Sequence, residues 1–140
     1  MYSDQASLLL LPTIDTDLAA RVLELSTRIV VVAPVDGPEN ALATRTCAAL
    51  MSLALVDPIS VVAIADGASL LPSVARSLRA RGHAVGGYVL IEPVIPAVSD
   101  TWPDAPVSVY CSLTSDIARV SELRGWDVCD IAHVPSCRDW

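Results

Sequence analysis

The fold is decided between Ile59 and Glu92: ISVVAIA (59–65), DGAS (66–69), LLPSVARSLRAR (70–81), Gly82-His83 and AVGGYVLIE (84–92). The first run is apolar almost throughout and β-branched, as a strand buried on both faces must be. From about Ser69 to Arg81, Leu70, Leu71, Val74, Ala75 and Leu78 recur at helical spacing, with three Arg on the opposite side. Gly82 stops that helix. The second apolar run, Ala84–Glu92, is another strand. An apolar strand, a helix and an apolar strand make a right-handed βαβ crossover in a parallel sheet.

The alternation continues outward. Upstream, Ala6–Leu11 is an apolar run ended by Pro12, and Thr16 or Asp17 caps a helix with Leu18, Val22 and Leu25 on one face. Arg28–Ala33 is a strand closed by Pro34. Asp36-Gly37-Pro38-Glu39 starts a helix that runs to about Leu55. Downstream, Pro93 to Pro106 is a Pro-rich connection containing Trp102, longer than a simple turn. Val107–Ser112 is a strand, and Ser115 or Asp116 caps a short helix with Ile117, Val120 and Leu123 facing inward. Trp126–Ala132 is a last strand leading to His133. The expectation is a single α/β domain over 1–140, a three-layer αβα arrangement around a mostly parallel sheet of about six strands.

Composition narrows the function. The chain has 140 residues, 53% of them hydrophobic, and a mean hydropathy of +0.52, above the roughly 45–50% apolar content of ordinary soluble domains. Sixteen acidic residues against nine basic ones give a net charge of −7, which argues against a nucleic-acid surface built on clustered cations. All nine basic residues are Arg, a usage that suggests a GC-rich bacterial coding sequence. The start lacks the positive segment of a secretory signal. Asp57-Pro58 breaks the longest apolar tract, so no membrane span is expected. The four cysteines, Cys47, Cys111, Cys129 and Cys137, show no disulfide-framework spacing, and a cytoplasmic protein with reduced thiols is expected.

In parallel sheets, sites lie beyond the carboxyl ends of the strands. No G-x-G-x-x-G or P-loop follows any strand, so no nucleotide cofactor is expected. Asp66-Gly67-Ala68-Ser69 lies between strand and helix, in the setting of a nucleophile elbow, with the Leu70 amide placed to face an oxyanion. Later strand ends supply Asp116 and His133, completing the order Ser…Asp…His.

With those residues in place, the stretch from about Ile59 to His133 resembles a shortened α/β-hydrolase of the thioesterase and small-esterase type. Gly67-Ala68-Ser69 resembles the G-x-S elbow, and Tyr88–Pro93 the strand before the lid. Ala105–Val109 to Asp116 is similar to the strand that delivers the acid, and Gly125-Trp126 to His133 to the one that delivers the base. The resemblance implies Ser69 as nucleophile, Asp116 as acid, His133 as base and the Leu70 amide as an oxyanion donor, acting on an ester or thioester of an acyl or peptidyl intermediate in bacterial natural-product metabolism. The sequence departs from the pattern where Leu71 replaces the closing glycine and where the lid shrinks to the Pro-rich connection.

Two other readings use the same residues. Cys111 or Cys129 with His133 can exchange a proton without a cofactor, as in a peptide epimerase that forms one subunit of a heteromeric tailoring enzyme. Alternatively, the chain is an inactive scaffold for a partner. Cys129-x3-His133-x3-Cys137 matches no common zinc spacing, and no metal is expected. The apolar excess points to an oligomer, homodimer or heteromer, with Trp102 and Trp140 as contact points.

Overall fold

The computed structural model describes residues 8–12, 17, 20, 29–31, 42–50, 55–96 and 102–133; the side chains of 29–31, 42–45 and 133 lie outside that description. The strands are β1 (Leu8–Leu10), β2 (Ile29–Val31), β3 (Ile59–Ile64), β4 (Val85–Ile91), β5 (Val107–Cys111) and β6 (Asp127–Asp130). The helices are α1 (Leu42–Leu50), α2 (Leu71–Ala80) and α3 (Asp116–Leu123). The sheet runs β2-β1-β3-β4-β5-β6, and every pairing in it is parallel. The α/β class and the parallel sheet are therefore those read from the sequence. The order reverses direction at β1, so the topological switch point lies between the carboxyl ends of β1 and β3.

Side chains alternate between the two faces of the sheet. Leu9, Val61, Ala63, Tyr88, Leu90, Val107 and Val109 face one side and pack with Leu50, Leu71, Val74, Leu78 and Ala118. All three described helices thus lie against that face. Leu8, Leu10, Val62, Ile64, Val89, Ile91 and Tyr110 form a second buried cluster on the other face. The third layer, the helix expected around Leu18–Leu25 and the flanks of the helix expected from Asp36 fall outside the described residues.

Helix α2 buries the predicted stripe Leu71, Val74, Ala75 and Leu78 and leaves Arg76 and Arg79 exposed, as is Arg81 at its C-cap. Helix α3 corrects the expected phase. Ser115 is its cap, accepting from the Ala118 amide at 3.2 Å, and Ala118 and Ser121 face the sheet while Leu123 is 82% exposed. At about 100° per residue, Leu123 stands roughly 140° from Ala118. The Ser121 hydroxyl is accommodated in the core because it donates to the Ile117 carbonyl at 2.7 Å.

Trp102 is a second correction. It is fully buried, not a surface contact. Its ring stands edge-on to Tyr88 (5.5 Å between centroids) and to Trp126 (5.6 Å). The Arg124 guanidinium lies 5.1 Å over Trp126 and donates to the Pro96 carbonyl at 2.7 Å. The Tyr88 hydroxyl donates to the Asp104 carboxylate, which also faces the Arg79 guanidinium at 3.6 Å. Burial first, and then that carboxylate, push the Tyr88 phenol well above its ordinary range. These contacts fasten both ends of the long connection to the helical side of the sheet. Trp102→Ala is expected to lower stability by about 3–5 kcal/mol, read as a drop in urea midpoint.

At the amino edge of the sheet, His83 Nδ1 lies 2.8 Å from Asp57 Oδ1, and the Ala84 amide donates to Asp57 Oδ2 at 3.1 Å. Chiefly the His83 hydrogen bond holds the Asp57 carboxyl below its ordinary value. A depressed carboxylate contributes stability above its unfolded pKa, and that contribution is lost as pH falls through its folded pKa. Thermal melts of Asp57→Asn should therefore fall below wild type at pH 7 and converge with it below about pH 4.

Candidate functional site

Strand β3 ends at Ile64, and the chain turns through a 3-10 segment (Ala65–Leu70) straight into α2. Ala65 takes the turn with φ of +49°, a left-handed conformation that costs an L-residue about 1–2 kcal/mol. Its neighbours two positions away are both small. Ala63 is fully buried, and a Cβ on Gly67 would stand 2.6 Å from the Pro12 carbonyl oxygen. Gly67 thus lets the turn press against the chain leaving β1, at the switch point.

Register places a row of residues across the carboxyl edge. Ile64 pairs with Ile91, Ile91 with Tyr110, Tyr110 with Cys129 and Cys111 with Asp130. One step along, the row reads Ala65, Glu92, Cys111, Asp130. Glu92 is also left-handed, with φ of +46°. Its amide donates to the Tyr110 carbonyl at 2.8 Å, and the Val94 amide donates to the Ala65 carbonyl at 3.0 Å. The two left-handed residues are thus fixed side by side. The Glu92 side chain is exposed.

Cys111 is fully buried on the helical face. Burial pushes its thiol up, a hydrogen bond with Ser115 pulls it down, and the charges of Glu92, Cys129 and Asp130 add to the upward push. The thiol is therefore held neutral, which makes it both a poor acid and a poor nucleophile. Cys129 packs against the cluster on the opposite face of the sheet, so the two cysteines do not face one another.

Ser69 and Asp116, singled out in the sequence, each bond within their own turn. Ser69 lies four residues beyond the strained turn. It is exposed, and its hydroxyl donates to the Asp66 carbonyl at 2.8 Å. Leu70 is buried at the junction of the 3-10 segment and α2. Asp116 opens α3 with its side chain 91% exposed and ion-paired to Arg119 at 3.1 Å. His133 ends the 3-10 turn that follows β6 (Ile131–His133); its side chain, like Cys137, lies outside the described residues. No hydrogen bond joins Ser69 to Asp116 among the described residues. The described residues contain no group of three or more His, Cys, Asp or Glu arranged to hold a metal. None of the described helices is long and apolar enough to cross a membrane.

Sequence reasoning passed over Ala65 and Glu92. Small residues at 63, 65 and 67, alternating across a strand end, are the only signal of the first, and alanine in such a place draws no attention as chemistry. Glu92 reads as the last residue of a strand, and its left-handed turn is visible only in the backbone. No protein-family model matches the chain, and no curated protein matches it.

The strain at residue 65 is measurable. Ala65→Val, β-branched at positive φ, is expected to destabilise by more than about 1 kcal/mol. Ala65→Gly should match or modestly exceed wild type, because relief of strain offsets an unfolded-state entropy cost of about 0.4–1 kcal/mol. Urea denaturation of the three proteins distinguishes these outcomes.

Proposed function

We propose that this chain is an α/β-hydrolase-like domain of non-hydrolytic type. It engages an acyl or peptidyl compound, together with a partner subunit, without forming a covalent intermediate. The observation that carries this reading is Ala65. A nucleophile elbow sets its serine on a strained strand-to-helix turn, two residues from small neighbours on each side. Here the left-handed residue ending β3, flanked by Ala63 and Gly67, has only a methyl group to offer. Without a hydroxyl or thiol there, no acyl-enzyme forms at that position.

Two further features support it. The β4–β5 connection, which stands where a hydrolase inserts its lid, is fastened at Trp102 and Asp104 to the helical face. Val94 and Leu113, which follow β4 and β5, leave apolar surface exposed near the carboxyl edge, suited to an apolar ligand or a partner. Chain order favours a second reading, a serine esterase or thioesterase using Ser69, Asp116 and His133, since these follow β3, β5 and β6 in turn.

A fluorophosphonate probe read by intact mass separates the two. Wild type is expected to stay unlabelled and Ala65→Ser to take one adduct, since the substitution restores the hydroxyl on the strained turn. A wild-type adduct lost in Ser69→Ala would overturn the proposal in favour of the hydrolase. A folded Ala65→Ser protein without an adduct would remove the elbow from position 65.

A further inference from the structure

Resting on the elbow reading, we infer that the carboxylate of the site is Glu92, and that Asp116 stands outside it. Residues 65 and 92 are the first beyond a register pair on adjacent parallel strands, so their backbones lie about one strand spacing apart, roughly 4.8 Å. Both are left-handed, and the Val94 amide ties the strand end after Glu92 to the Ala65 carbonyl. Glu92 is exposed, so its charge is not consumed in the core. Asp116, by contrast, points to solvent from the outer side of α3 and is neutralised by Arg119.

The chemical consequence is selectivity at position 65. A group seated over Ala65 meets the negative charge of Glu92 on one side, with Asp130 further along the same row. A hydroxyl or an amine is favoured there as hydrogen-bond donor to the carboxylate. A carboxylate or phosphate is repelled. Glu92 is thus a positioning residue for the ligand, accepting a hydrogen bond from a hydroxyl or ammonium placed beside it.

A cysteine at position 65 reports this field directly. Its thiolate fraction, followed by the pH dependence of iodoacetamide alkylation at that one site and mapped by peptide mass, falls when a carboxylate stands nearby. In Ala65→Cys, adding Glu92→Gln should lower the alkylation midpoint by about half to one pH unit, a gain of roughly 3- to 10-fold in rate below the midpoint. Adding Asp116→Asn should leave it unchanged. A shift with Asp116→Asn, or none with Glu92→Gln, overturns the assignment. The same two substitutions in Ala65→Ser, read by the rate of fluorophosphonate labelling, repeat the comparison if the cysteine variant does not fold. Failure of the elbow reading shows separately, as an Ala65→Ser protein that folds and takes no adduct whatever stands at position 92.

Discussion

The turn at the end of β3 constrains the rest of the molecule. A parallel strand that feeds a helix must reverse the chain within a few residues, and here the reversal falls on Ala65 in a left-handed conformation. The turn closes only because Gly67 passes the Pro12 carbonyl at a distance no side chain permits. That contact locks the exit of β1 against the entry of α2, and from it follow the position of α2 and the burial of Leu71, Val74 and Leu78 on the sheet. The adjoining carboxyl edge, with Glu92 beside Ala65, is shaped by the same turn.

A second device holds the opposite end of the connectivity. The described residues between β4 and β5, 92–96 and 102–106, form no helix, and aromatic packing covers the sheet there. Tyr88, Trp102 and Trp126 stand edge to face in series, an arrangement favoured by the ring quadrupoles. Arg124 closes the series over Trp126, and Asp104 binds the Tyr88 hydroxyl from the rim. With no Phe in the chain, these three rings supply the bulk that the aliphatic core lacks. The described ends of the connection are therefore part of the core, Trp102 within it and Ile95 and Ala105 packed against it.

Function is read from what stands at the strand ends. The chain order of Ser69, Asp116 and His133 is legible in one dimension, but a triad needs its side chains to converge. Ser69 instead satisfies its own turn, and Asp116 pairs with Arg119 in solvent. The row Ala65, Glu92, Cys111, Asp130 is assembled by register between strands far apart in sequence, and periodicity within any one strand carries no trace of it.

By itself the sequence determined the α/β class, the parallel strands, and the inward stripe of α2. Each of these depends on short-range periodicity and on apolar runs that can be satisfied only by burial on both faces. It also marked the ends of the central strands within a residue or two, because Pro, Gly and Asp stop a strand locally. The tertiary structure alone decided that Trp102 lies inside, that Leu123 lies outside, and that the strained residue of the turn is Ala65 with Glu92 beside it. Those outcomes depend on which surfaces meet across the sheet and on backbone angles set by close approach, and neither is encoded in the spacing of residues along the chain.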